Sequence, residues 1–383
     1  MKILHIISSL NRQGSGPAEG LLNIALSNIK AGHQVEILTL DSLMKPLPMN
    51  DSLKIHFAGP AYFKYRYAPK LSRWLLNNSV NYDALIIEGL WQFHSFISWK
   101  ICCKLKIPYY VYVHGMLSTW FKFEYPIKHL KKSIYWFLIE RKVLRDARYV
   151  LYTTEEEKML ARLSFKSYSC LEKVIGYGIS KPVVNKKNIK EEFFKKFPGL
   201  DKKRLILFLG RIHTVKGCDI LIEAFAKIAF KNKTIHLVIA GQGDDKLKVS
   251  LKKQVSSLNL ANRITWAGVL SGDLKWGAIH CCEVFCLPSH QENFGVAVVE
   301  ALACGKPVLI SNKVNIWREI SASSAGFVDD DSIPGTINNL NKWLAMKPND
   351  LKKMSLNAKK CYSNNFNSQQ AADNLINIIK SKN

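Results

Sequence analysis

The sequence predicts an α/β protein made of two Rossmann-like domains, each a parallel sheet covered by helices on both faces. Three observations lead there. Short apolar runs alternate with stretches of helical periodicity along the chain. This alternation occurs twice, interrupted between Ser180 and Arg204 by a stretch of Lys, Asn, Pro and Gly with one apolar patch at Phe193-Phe194. The length, 383 residues, also exceeds what one hydrophobic core usually supports.

In the first domain, residues 3–7 read as a strand. After a Gly-containing turn, Pro17 suits the first helical position, and Leu21, Leu22, Ala25, Leu26 and Ile29 recur at helical spacing until Gly32 ends the helix. Strands follow at 35–40, 84–87, 109–113 and 150–153, the third delivering His114-Gly115 to the carboxyl edge of the sheet. Thr154, with Glu157 three positions on, forms a capping box, which makes the cluster Glu155-Glu156-Glu157 structural. The second domain has strands at 205–209, 235–239, 264–266, 284–287 and 307–310, with helices over about 218–230 and around 296–303. Ala371, Leu375, Ile376, Ile378 and Ile379 mark a terminal helix. The expected division is a first domain over 1–180, a linker over 181–204, a second domain over 205–365, and a helix over 366–383 that packs back on the first domain.

With 48% hydrophobic and 22% charged residues, the chain is neither disordered nor a coiled coil. The nine cysteines are odd in number and lie mostly in core-like runs, and the adjacent pairs Cys102-Cys103 and Cys281-Cys282 cannot form ordinary bridges; reduced thiols are expected. No C-x-x-C spacing occurs, so no metal is expected. The opening apolar run is short, is broken by His5 and lacks a small-residue cleavage site, and no stretch approaches the roughly 20 apolar residues of a membrane span. A net charge of +25 calls for a partner of opposite sign. The basic residues are interleaved with aromatics at 62–67 and 120–137, which favours a lipid headgroup surface over a nucleic-acid groove. The expectation is a cytoplasmic protein, peripheral to the inner face of the cytoplasmic membrane, with no nucleic-acid partner.

The strongest chemical signal runs from Pro288 to Val308. A strand ends, a polar loop presents Glu292, and a helix opens near Phe294-Gly295 with its free amides at the carboxyl edge of the sheet, which makes an anion site. Glu292 and Glu300, eight positions apart, can accept hydrogen bonds from hydroxyls at opposite ends of one ligand. Earlier, Arg211 and Lys216 lie on a loop bounded by Gly210 and Gly217, where a guanidinium fork and a point charge can converge on one diphosphate. Gly241-Gln242-Gly243-Asp244 follows a strand, and Gly14-Ser15-Gly16-Pro17 follows the first strand of the chain, where Gly permits close backbone approach to a phosphate or sugar.

The run Glu292-Asn293-Phe294-Gly295 through Glu300-Ala301-Leu302-Ala303-Cys304-Gly305-Lys306-Pro307-Val308 closely resembles the family 4 retaining glycosyltransferases of the GT-B fold, two Rossmann-like domains facing each other across a cleft. Gly210-Arg211 with Lys216-Gly217 resembles that family's G-R-x4-K-G stretch. The resemblance implies that Glu292 contacts the donor hexose, that the amides of Asn293, Phe294 and Gly295 contact the diphosphate and hexose, and that Glu300 holds the ribose. It implies that Arg211 and Lys216 hold the diphosphate, that the turn at Gly241 and Gly243 lies near the nucleotide, and that Val269 and Leu270 meet the base through backbone atoms. In the first domain Gly16 fits the family's glycine loop, with Ser15 departing from its usual G-G-P. His114-Gly115-Met116-Leu117 resembles a feature of the bacterial polysaccharide branch, whose His approaches the donor sugar. Ile175-Gly176-Tyr177-Gly178 stands where the family has a Pro-Asn-Gly turn.

The implied activity is transfer of a hexose from GDP-mannose or a UDP-sugar to a glycan or polyprenyl-linked acceptor in surface polysaccharide biosynthesis (lipopolysaccharide or exopolysaccharide), without cofactor or metal. A sugar-nucleotide epimerase shares the fold and is the alternative within the enzymes. A basic nucleic-acid-binding protein would explain the charge but not the paired carboxylates.

Overall fold

The structure is a computed structural model describing residues 1–10, 16–42, 52–180 and 186–381, apart from the side chains at 121, 123, 186 and 187. It divides into two compact units, one formed by Met1–Ser180 with Asn367–Asn383 and the other by Lys181–Phe366.

The first unit holds a seven-stranded parallel sheet of β1 (Lys2–Ile7), β2 (Gln34–Thr39), β3 (Lys54–Phe57), β4 (Ala84–Glu88), β5 (Tyr109–Tyr112), β6 (Tyr149–Tyr152) and β7 (Glu172–Val174) in the order β3-β2-β1-β4-β5-β6-β7. The second holds β8 (Arg204–Leu209), β9 (Ile235–Ala240), β10 (Ile264–Gly268), β11 (Val284–Leu287), β12 (Val308–Ser311) and β13 (Gly326–Asp329) in the order β10-β9-β8-β11-β12-β13, also parallel. Both orders reverse direction once, between β1 and β4 and between β8 and β11. In doubly wound sheets ligands bind beyond the carboxyl ends of the strands at such a reversal.

Central strands are covered on both faces and therefore read as largely apolar runs; every residue of β4, β9 and β11 is buried, Glu88 and His236 included. The strands β3, β7 and β13 are the ones without a sequence expectation. All three are edge strands of three or four residues with polar positions and half-exposed side chains, so the apolar run that reveals a buried strand is missing.

The linker expected over 181–204 needs correction. The helix Lys186–Lys196 lies inside it and packs on the helix Gly272–Cys281. Ile189 and Phe193, one helical turn apart, are buried, and the absent side chain of Gly277 lets that backbone come close: a Cβ there would sit 2.5 Å from the Ile189 carbonyl oxygen. The terminal helix, Ser368–Lys380, is part of the first unit and packs on the helix Gly16–Lys30 through Ala371, Ala372, Leu375 and Ile376. The Ser27 hydroxyl donates to Ser368 Oγ at 3.1 Å, and the Asn374 amide donates to the Ile175 carbonyl at 3.1 Å.

Candidate active site

Eleven of the thirteen residues singled out in the sequence lie in the second unit, ten on loops leaving the carboxyl ends of β8, β9, β10 and β11 and Glu300 in the helix that follows β11. Backbone contacts stitch these loops together. Ile212 N–H donates to the Gln242 carbonyl at 2.8 Å and Gly241 N–H to the Gly268 carbonyl at 2.8 Å, joining the loops after β8, β9 and β10. Gly241 is required by packing, since a Cβ there would stand 1.7 Å from the Gly210 carbonyl oxygen. Gly243 lies against Ile212, whose carbonyl oxygen would be 2.3 Å from a Cβ there. On the other side, His290 N–H donates to the Val215 carbonyl at 2.8 Å, and Gly217, in left-handed conformation with φ +66°, lies against the Pro288 carbonyl.

Arg211 is exposed at the carboxyl end of β8. Lys216 closes a short 3-10 turn, Thr214–Lys216, and its ammonium reaches the loop after β11 to pair with Glu292. The Glu292 backbone is fixed from the opposite side, its N–H donating to the Lys313 carbonyl at 3.0 Å and its carbonyl accepting from Asn315 N–H at 2.9 Å. Gly295, with φ +70°, caps the helix Val296–Ala303, whose first amides have no carbonyl partner within the helix. Phe294 is buried and packs edge-on against Phe366 at 5.7 Å. Asn293 accepts at its side-chain oxygen from Asn315 at 3.2 Å. Glu300, one turn inside the helix, is buried and accepts from Lys275 Nζ at 2.5 Å. Val269 is exposed beyond β10 and Leu270 buried beside it.

The remaining two, Gly16 and His114, belong to the first unit, while Gly14 and Ser15 lie outside the described residues. Tyr177 links the two: its hydroxyl donates to the Pro17 carbonyl at 2.5 Å and lies 3.3 Å from that of Gly16, while its ring meets His114 edge-on at 5.5 Å. It fits because residue 20 is glycine; a Cβ there would collide with the Tyr177 ring at 1.9 Å. His114 is nearly buried in left-handed conformation, φ +51°, with Nε2 on Glu88 Oε2 at 2.5 Å.

Three further charged residues take part, two of them, Lys275 and Glu88, outside the sequence reading and the third, Glu157, read there only as a helix cap. Lys275 neutralises Glu300, and Glu88, ending β4, receives His114. Glu157 completes only half of the expected capping box: Thr154 Oγ1 accepts from Glu157 N–H at 3.0 Å, but the carboxylate turns to Thr153 N–H at 2.7 Å and to Gly115 N–H at 2.5 Å. It thereby holds the turn that carries His114. For Glu88 a signal was present, a carboxylate directly continuing the apolar run Ala84-Leu85-Ile86-Ile87. Lys275 has none, since only the folded chain brings it to Glu300.

The fold and these loops define a doubly wound α/β protein of the class that takes ligands at the carboxyl edge of the sheet, where the strand order reverses. The family of glycosyl transferases group 1 matches residues 189–361, and the glycosyl transferase 4-like domain matches residues 15–165. Mannosylfructose-phosphate synthase of Agrobacterium fabrum is 30% identical over 124 residues, which cover 31% of this chain and 27% of that protein. An alpha-1,3/1,6-mannosyltransferase of Dictyostelium discoideum is 26% identical over 197 residues, 47% and 46% of the two chains. The chain thus spans between about a quarter and a half of the length of the curated relatives it matches. Among solved structures, HepE of Anabaena in complex with UDP and glucose aligns with a TM-score of 0.76 at 16% identity over 100% of both chains, and sucrose-phosphate synthase of Thermosynechococcus elongatus with 0.77 at 18% over 98% of both. The chain belongs to the group 1, family 4 glycosyltransferases and has the GT-B fold.

Proposed function

We infer that the protein is a retaining hexosyltransferase that moves a hexose from GDP-mannose or a UDP-sugar to a glycan or polyprenyl-linked acceptor in surface polysaccharide biosynthesis. The observation that carries this reading is the meeting of Lys216 and Glu292 from loops on the adjacent strands β8 and β11. In a nucleoside diphosphate sugar the distal phosphate and the hexose are joined by one bond, so a cation for the first and a carboxylate for the second must stand side by side. Arg211, Lys216 and the amides of Asn293, Phe294 and Gly295 stabilise the departing diphosphate, Glu292 fixes the hexose and Glu300 the ribose. Val269 and Leu270 meet the base, and Gly241 and Gly243 let the backbone approach the nucleotide. His114 and Gly16 serve the donor from the first unit. The bond from the anomeric carbon to the phosphate oxygen breaks as the acceptor oxygen adds from the same face, and the acceptor proton passes to a phosphate oxygen. Side-chain cations take the place of a divalent metal.

A thermal-shift series with GDP, UDP and their sugar conjugates tests the reading, because a ligand at a hundred times its dissociation constant stabilises by about 2.7 kcal/mol. The matching sugar conjugate should then glycosylate a lipid-linked acceptor in the presence of a chelator. Release of an altered free sugar without any acceptor would point to an epimerase instead.

We place the acceptor at an anionic bilayer. No helix among the described residues is long and apolar enough to cross a membrane. The helix Pro126–Tyr135 and the turn Trp136–Glu140 expose Ile127, Leu130, Ile134, Phe137 and Leu138, spaced to share one face, with Ile127 74% and Leu130 65% accessible. Between Tyr125 and Arg145 the only carboxylate is Glu140, which is buried, against six Lys and Arg. Phe63, 85% accessible in the turn between Tyr62 and Tyr67, adds a second ring. Lys128→Glu combined with Lys131→Glu should weaken retention on phosphatidylserine vesicles at least tenfold, each cation near such a surface being worth about 1 kcal/mol. Equal retention on neutral vesicles in high salt would contradict the electrostatic part.

A further inference from the structure

We propose that Glu88 and His5 are positioning residues for His114, a buried carboxylate held between two imidazoles that fixes which nitrogen of His114 is offered to the donor sugar. The proposal rests on the function inferred above. Its geometry comes from the sheet. The strand β4 lies between β1 and β5, with Glu88 beside Ile7 and Tyr112. His5, two residues before Ile7 on β1, reaches Glu88 Oε1 through Nδ1 at 2.6 Å, and His114, two residues beyond Tyr112, reaches Oε2 through Nε2 at 2.5 Å. Each oxygen takes one ring.

The carboxylate is ionised at neutral pH. Burial alone would push the Glu88 carboxyl up, but the hydrogen bonds from His114 and His5, together with the positive charge either ring carries when protonated, outweigh it and hold the group well below the usual carboxylate range, at about 2. An ionised carboxylate only accepts, so both nitrogens facing it carry hydrogen. His5 presents Nδ1–H to Glu88, and its Nε2 is buried with no hydrogen-bond partner among the described residues. His114 is held with Nε2–H on Glu88, and Nδ1 remains as the atom that can accept from a sugar hydroxyl. A full negative charge behind the ring makes that nitrogen a stronger acceptor as the hexose becomes positive.

The ring is also fixed in orientation. Tyr112 stacks on it at 5.2 Å with 11° between planes, Tyr177 meets it edge-on, and Glu157 holds the following N–H. His94 completes the surroundings of Glu88, its Nε2 lying 3.0 Å from the Glu88 carbonyl oxygen. A histidine filling space would need neither a left-handed backbone nor an ionised partner.

Two measurements on the full chain test this. In protein carrying ¹⁵N-labelled histidine, long-range proton–nitrogen correlations should report His114 as the Nε2–H tautomer, and Glu88→Gln should abolish that preference. In transfer assays with a nucleoside diphosphate sugar, Glu88→Gln should lower kcat at least tenfold, leave binding of the free nucleoside diphosphate within twofold, and add little in a His114→Ala background. An Nδ1–H tautomer in the parent overturns the proposal, and this holds even if Glu88→Gln does not fold. Unchanged turnover of Glu88→Gln, or full additivity with His114→Ala, overturns it as well. If instead the parent transfers no sugar from any nucleoside diphosphate sugar, the functional reading fails, and the tautomer still decides the role of Glu88.

Discussion

Lys216→Ala is expected to lower turnover by about 10²- to 10³-fold while changing donor affinity much less. Negative charge on the departing diphosphate grows as the glycosidic bond breaks, and a fixed cation is worth most where charge is developing. The substitution has a second effect, because the Lys216 ammonium is the partner of Glu292. Without it the carboxylate loses its ion-pair partner, so on the proposed roles one truncation would loosen both ends of the reacting bond. Arg211→Lys should also be harmful, since a point charge cannot replace a bidentate fork. Steady-state kinetics with saturating acceptor decides the matter, and a fall of less than threefold for Lys216→Ala would remove that residue from the site.

Glu292→Gln and Glu300→Gln should separate kinetically although they share one motif. Glu292 sits on the loop before the helix and is partly accessible; in the proposed role its bonds to hexose hydroxyls would tighten as the ring distorts, so Glu292→Gln should mainly lower turnover, by about tenfold to a hundredfold. Glu300 lies deeper, buried and bonded to Lys275, and the ribose assigned to it is the same in ground and transition states. Glu300→Gln should therefore weaken donor and free nucleoside diphosphate alike, by about tenfold, the scale of one hydrogen bond to a charged group. Lys275→Ala should reproduce that pattern if the ammonium holds the carboxylate in place. Calorimetric titration with the free diphosphate is the deciding measurement: affinity equal to the parent's for Glu300→Gln rules out the ribose role.

What was legible in the sequence follows from how far apart the cooperating residues lie. Central strands announce themselves because burial on both faces demands apolar residues at nearly every position, and the loops after β8 and β11 because their residues are contiguous. The edge strands β3, β7 and β13 meet weaker demands and stay silent. The helix Lys186–Lys196 was hidden by its composition; Lys and Asn on its outer face mask the spacing of Ile189 and Phe193. The surroundings of His114 are assembled from distant segments, His5 meeting Glu88 across 83 positions and Glu88 meeting His114 across 26. No local pattern encodes such a partnership, although the run of apolar residues ending in Glu88 carries half of it.

The placement of the helix Ser368–Lys380 has a consequence for biosynthesis. The first unit is interrupted in the chain by the whole of the second, and its helix Gly16–Lys30 is covered by residues that leave the ribosome only after those of the second unit. Emerging chains generally fold domain by domain from the amino terminus. Here the amino-terminal sheet must wait with the apolar face of one helix uncovered, while the later unit, whose residues are all continuous, can close first. Nascent chains are thus most prone to aggregate in the interval after the second unit has formed and before the helix Ser368–Lys380 docks, and a chain truncated ahead of Ser368 would prolong that exposure indefinitely.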